Sequence, residues 1–145
     1  MIDIEPRLCE QLIGKQCRNF RFLEGGTLIL YFISTDAEAA VGKGLRLWIE
    51  CAWRLHDGQA VQTGSMDDNS CIINSLQHLT GSTLRSLSFV GRFGDLRLQF
   101  ANGAVFETFG YSVSSELWEL RRPDGLRLGI GPGFAPFERI VGADI

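Results

Sequence analysis

The sequence predicts an α+β fold: a duplicated unit of one helix and about four antiparallel strands, the two units packed about a pseudo-twofold axis. Three observations carry this prediction. First, landmarks of the first half return in the second, in the same order. Leu12-x-Gly14 recurs as Leu79-x-Gly81, and Gly26-x-Leu28-x-Leu30-x-Phe32 recurs as Gly94-x-Leu96-x-Leu98-x-Phe100. Trp53-x-Leu55 recurs as Trp118-x-Leu120, Arg18 and Phe22 as Arg85 and Phe89, and Gly58 as Gly125. A fixed period of this kind reports repeated supersecondary units. Second, after each predicted helix the apolar period changes to two, as in half-buried strands. Third, Gly-containing turns punctuate the strands at regular intervals.

Each element has a local reason. Glu5-Pro6 opens the first helix, where proline is tolerated, and Leu8 and Leu12 share a face. Asp67, Asp68 and Asn69 supply capping chemistry for the second helix, with Ile72, Ile73, Leu76 and Leu79 at helical spacing. Gly14 and Gly81 end the two helices. Arg18, Phe20 and Phe22 alternate with Asn19 and Arg21, and Arg85, Leu87 and Phe89 match them, which places the two arginines on the side of the aromatic rings. Gly25-Gly26 and Gly91 to Gly94 turn the chain into the second strands. Asn102-Gly103 is a strong hairpin signal; the first half has the longer 34–44 loop instead. Leu45 to Trp53 reads as a third strand, and Asp57-Gly58 and Pro123-Asp124-Gly125 close the last hairpins. The repeats span about residues 5–66 and 67–130. The tail 131–145 departs from them, with Gly131-Pro132-Gly133 and the aromatic Phe134 and Phe137, and reads as irregular chain able to cap a sheet edge. At 145 residues the chain can bury roughly 70% of its unfolded surface. Halves this short would each be marginal, so residues 1–145 are expected to form one domain with a shared core.

Composition bounds function. With 14 basic and 17 acidic residues the net charge is −3, which gives no electrostatic footprint for nucleic acid. No apolar run approaches the length of a membrane span, and the acidic Met1 to Pro6 segment has no signal-like core, so a cytoplasmic location is expected. The four cysteines (Cys9, Cys17, Cys51, Cys71) fit no metal-ligand spacing and read as free thiols packed as small hydrophobes. No metal or other cofactor is expected.

The differences between the repeats point to function. The second strand of the first half is apolar on both faces: Thr27, Ile29 and Tyr31, followed by Ile33, stand where the second half has Asp95, Arg97 and Gln99. Ile29, Tyr31 and Ile33, with Trp48, are the candidate interface for a protein partner or a homodimer. An alternative is a ligand pocket between the repeats, lined by Arg18, Arg85, Trp53 and Trp118. His56-Asp57-Gly58 reads as turn chemistry, not as a catalytic dyad. The run Gly129-Ile130-Gly131-Pro132-Gly133 lacks the following helix of a phosphate cradle. Glu50, Glu116 and Glu119 are the carboxylates available to an enzyme, although their spacing brings no two together. Arg54 and Glu119 hold equivalent positions and could pair across the axis.

The segment Leu117-Trp118-Glu119-Leu120-Arg121-Arg122-Pro123-Asp124-Gly125, followed by Gly131-Pro132-Gly133, resembles a family of small uncharacterised bacterial proteins. Their shared pattern is a strand ending in Asn-Gly, a Trp-x-Leu strand, a Pro-Asp-Gly turn and a closing Pro-Gly. The resemblance covers mainly residues 94–133. Some of these proteins resemble immunity proteins of toxin systems, so the resemblance implies a non-enzymatic binding protein and no catalytic residue.

Overall fold

The computed structural model describes residues 3–34, 44–110, 114 and 116–142. The fold is α+β, with two α-helices and eleven strands in two antiparallel sheets among the described residues. Helix α1 (Ile4–Leu12) buries Ile4, Leu8 and Leu12, one residue per turn on one face. It leads into the meander β1 (Gln16–Phe22), β2 (Leu28–Ile33) and β3 (Leu45–Ile49). The hairpin β4 (Ala52–His56) and β5 (Val61–Gly64) follows. Helix α2 (Asn69–Leu76) starts at Asp68, whose carboxylate accepts the Cys71 N–H at 2.9 Å. A second meander follows, β6 (Leu84–Val90), β7 (Asp95–Phe100) and β8 (Val105–Phe109), then the hairpin β9 (Trp118–Arg121) and β10 (Leu126–Ile130). The last strand is β11 (Pro136–Ile140).

The strand order shows how the two segments interlock. One sheet runs β1-β2-β3-β9-β10-β11 and the other β5-β4-β8-β7-β6. Each hairpin therefore leaves the meander it follows and completes the sheet of the other segment. Leu45 to Trp53 accordingly corrects the expectation of a single strand: β3 and β4 belong to different sheets, and the break falls at exposed Glu50. Each segment also holds five strands rather than about four. Near the start of β1, residues 14–17 and 81–84 exchange backbone bonds reciprocally. Gly14 N–H donates to Leu84 O and Gly81 N–H to Cys17 O, both at 2.8 Å; Leu84 N–H donates to Lys15 O and Cys17 N–H to Ser82 O, both at 2.9 Å.

The sheets face each other over one apolar cluster that both helices enter. Phe32 of β2 stacks on Phe100 of β7, with ring centres 6.3 Å apart, and Trp118 of β9 meets Phe89 of β6 edge-on at 5.7 Å. The Trp118 Nε1 donates to Gly94 O at 2.8 Å, so its polar handle is satisfied inside the core. The turns behave as their residues predict. Gly103 takes a positive φ between β7 and β8, and the Asn102 side chain accepts the Ala104 N–H. The tail is not irregular. Residues 136–140 add a strand to the edge of the six-stranded sheet, because β10 would otherwise expose its ladder groups. The 34–44 loop lies, in its 35–43 part, outside the described residues.

Candidate functional site

The outward face of the six-stranded sheet carries the densest arrangement of charge. Register builds it. Arg46 of β3 lies opposite Arg121 of β9, Arg121 opposite Arg127 of β10, and Arg127 opposite Arg139 of β11. Four arginines thus form a row across four adjacent strands, with Tyr31 of β2 opposite Arg46. Like charges directly opposite each other repel, so the row needs a counter-charge. The neighbouring row supplies it, reading Ile29, Trp48, Glu119, Gly129, Phe137. Glu119 is 3% exposed. One of its oxygens accepts from Arg121 Nε and lies 3.7 Å from Arg127 Nη1; the other lies 3.2 Å from Arg139 Nη2.

Two further residues shape this cluster. A Cβ on Gly129 would lie 2.4 Å from Trp118 O and 2.8 Å from Glu119 Cβ, so only glycine leaves Glu119 its place. Trp48, opposite Glu119, holds its ring 3.8 Å from the Arg121 guanidinium carbon, a cation–π contact that fixes the fork. The Trp48 Nε1 is buried and has no hydrogen-bond partner. Glu116 approaches Arg139 at 3.7 Å. Partial burial and the nearby charges of Glu116 and Glu119 raise the Glu50 carboxyl above the usual glutamate range, against the pull of Arg121. Three carboxylates that spacing left apart are therefore electrostatic neighbours. Chemically, the cluster is a preorganised set of planar donors suited to carboxylate groups.

The five-stranded sheet carries a corresponding row: Arg97, Glu107, Arg54 and Gly64. Glu107 lies 3.0 Å from Arg54 Nε and 2.8 Å from His56 Nε2. The Gly58 N–H donates to His56 Nδ1 at 3.0 Å, so the ring proton sits on Nε2 and is donated to Glu107. His56 is thus spent on structure. Burial opposes ionisation of Glu107, but hydrogen bonds from Arg54 and His56 outweigh it and hold the carboxyl below the usual range. A lowered folded-state value adds stability above the unfolded pKa, about 4.3, and that contribution is lost as pH falls through the folded value. Glu107→Gln is expected to flatten the stability profile between about pH 5 and 3. Urea midpoints across that range check this; an unchanged slope would refute it.

The sequence-predicted site residues fare unevenly. Ile29 and Ile33 are 2% and 4% exposed and Tyr31 is half-buried, so this strand is covered within the chain. Gly44 lies against Ile33, and Trp48 lies opposite Ile29. The proposed interface of Ile29, Tyr31 and Ile33 is therefore not an open apolar surface; of that set Trp48 keeps a place in the candidate site. The pocket residues are not brought together. Trp53 and Trp118 are core side chains, Trp53 stacking on Phe106 at 5.3 Å. Arg18 and Arg85 are exposed, each at a bulge where the ladder shifts between Cys17 and Asn19 or between Leu84 and Ser86. An extra residue breaks the alternation that assigned them inward. Arg54 and Glu119 do not pair either, since β4 and β9 lie in different sheets.

Arg46, Arg121, Arg127 and Arg139 escaped sequence reasoning as a set. The signal was present as one arginine in each strand, two places from a residue of the neighbouring row: Arg46-x-Trp48, Glu119-x-Arg121, Arg127-x-Gly129, Phe137-x-Arg139. Only the register aligns these pairs. All four thiols are free. Burial pushes Cys17 up to about 12 and Cys51 up to about 11, far from a reactive thiolate. No group of His, Cys, Asp and Glu able to hold a metal occurs among the described residues, and none of their helices is long and apolar enough to cross a membrane. Comparison with family models, curated proteins and solved structures found no match.

Proposed function

We propose that the protein is a non-enzymatic bacterial binding protein of the cytoplasm, of immunity type, which takes an acidic surface of a protein partner onto the outward face of its six-stranded sheet. One observation carries this reading: the row of Arg46, Arg121, Arg127 and Arg139, in which Glu119 holds the last three and Trp48 holds Arg121. Arginine and tryptophan are frequent interface anchors. A partner carboxylate meets guanidinium groups whose orientation is already set, so little ordering opposes binding. The nearby Glu50 and Glu116 favour a protein over nucleic acid, because a continuous phosphate backbone would be repelled by them.

The same proposal reads the chain as an internal duplication. The reciprocal bonds between residues 14–17 and 81–84 support it. So do Gly64 and Gly129, each placed opposite the residue that follows a repeated tryptophan. On this reading one copy of the surface acquired the arginine row, while the other kept Glu107 for structure.

The test is recovery of a stoichiometric partner from source cells with the tagged chain, alongside Arg139→Glu and Arg46→Glu. The expected partner is acidic, and charge reversal is expected to weaken its binding at least about 100-fold. Production of that partner alone is expected to stop growth, and the wild-type chain to restore it. A partner bound equally well by both variants would overturn the proposal. A second reading, acid–base chemistry at Glu50 beside Glu116, is favoured by the raised Glu50 carboxyl. Any turnover found for the protein should then disappear in Glu50→Gln.

A further inference from the structure

The edges of the two sheets are closed unequally. On β6, helix α1 caps the outward groups: Glu5 Oε2 accepts the Phe89 N–H at 3.0 Å, and Cys9 Sγ reaches Leu87 O at 3.4 Å. On β5, Asp67 Oδ2 accepts the Gly64 N–H at 3.0 Å, and Ser75 Oγ donates to Gln62 O at 3.4 Å. On β11, Pro136 has no N–H to offer and the Glu138 side chain pairs with Arg7, although the outward backbone groups of Glu138 and Ile140 have no partner among the described residues. These are ordinary ways of blunting an edge.

β1 is left open. In an antiparallel ladder alternate residues direct their N–H and C=O groups toward the same neighbour. Leu23 N–H donates to Thr27 O, which fixes the phase: Arg21 and Asn19 bond toward β2, and Phe20 and Phe22 turn outward. The Asn19 side chain accepts the Phe20 N–H at 2.8 Å. Among the described residues, Phe20 C=O and both backbone groups of Phe22 have no hydrogen-bond partner. Phe20 C=O and Phe22 N–H correspond to the β6 groups that Cys9 and Glu5 satisfy, Leu87 C=O and Phe89 N–H.

We propose that the β1 edge, Phe20 to Phe22, is a strand-addition site for an extended segment of a partner protein that alternates acidic and apolar residues. The backbone supplies the hydrogen bonds of such an addition, and the side chains select the sequence. Phe20 and Phe22 are half-buried against the core and offer apolar contact on one face. Arg21 is exposed on the other face, Arg18 is exposed at the bulge, and Gln16–Phe22 contains no acidic residue. An incoming strand therefore sets acidic residues beside Arg21 and apolar ones beside the phenylalanines. A second copy is a poor occupant, because β1 against β1 brings like charges together. β2 separates this edge from the arginine row, so the two sites can fail separately.

Amide hydrogen exchange by NMR tests the proposal, using a capped ten-residue peptide of alternating glutamate and valine, and a lysine–valine control. In the free protein Phe22 N–H is expected to exchange about 100-fold faster than Phe89 N–H. The glutamate–valine peptide is expected to slow Phe22 exchange about tenfold or more and to shift Phe20 to Phe22, while the control does neither. Phe22→Pro, which deletes the outward N–H, should abolish the response. If that variant does not fold, the wild-type exchange rates decide. Phe22 as protected as Phe89 in the free monomer would overturn the proposal. So would protection that rises with protein concentration alone, the mark of a second copy, or peptide shifts confined to Arg121 and Arg139.

Discussion

Glu119→Gln is expected to lower folding stability by about 3 kcal/mol, because it removes the counter-charge of three arginines at once. Glu119 is buried, and its oxygens are shared among Arg121, Arg127 and Arg139. Arg121 and Arg127 are mostly covered, so they cannot recover full hydration when the carboxylate is neutralised. Arg139 is more open and recovers some, which keeps the loss at the lower end of the range for broken buried pairs. The neutral isostere conserves volume, so the loss reports charge and not a cavity. Urea denaturation with an unchanged m-value measures it. Adding Arg121→Gln should return part of the loss, about 1 kcal/mol, in a double-mutant cycle. A loss below about 0.5 kcal/mol would mean that solvent screens the cluster and Glu119 does not organise it.

Gly129→Ala is expected to cost about 3 kcal/mol or more through overpacking. The added methyl would sit 2.4 Å from the Trp118 carbonyl oxygen and 2.8 Å from Glu119 Cβ. Neither can yield cheaply. Trp118 is pinned in the core by its bond to Gly94 O, and β9 is held on both sides by β3 and β10. Gly64→Ala is the internal control. It meets the Trp53 carbonyl oxygen at 3.2 Å on an edge strand that can shift, so about 1 kcal/mol is expected. Thermal and urea melts of the two variants compare them. Equal losses would show that the close approach at Gly129 has no special consequence. A folded Gly129→Ala with a displaced Glu119 should also lose the arginine row as a binding surface, which links this stability test to the proposed function.

Much of the local structure was legible from residues alone. The Asp68 cap, the Asn102-Gly103 and Asp124-Gly125 turns and the apolar spacing of α1 and α2 depend on interactions within a few residues, which sequence encodes directly. The alternation within β7 likewise follows from a fixed backbone period. Arg18 and Arg85 were misplaced because a bulge changes the phase of a strand without any residue type that announces it. Leu45 to Trp53 was read as one strand because the apolar pattern continues across the point where the chain changes sheets.

What the sequence by itself determined is the class of the protein: helices with one buried face, antiparallel strands with one face toward the core, and turns where glycine and asparagine demand them. Only the tertiary structure decided which strands became neighbours. The hairpins β4–β5 and β9–β10 cross to the opposite sheet, and that exchange sets Glu119 beside Trp48 and aligns Arg46, Arg121, Arg127 and Arg139. The reason is physical. Hydrophobic burial is non-directional and specifies only that each apolar face must be covered. The register of hydrogen bonds between strands far apart in the chain then chooses which polar side chains meet on the other face.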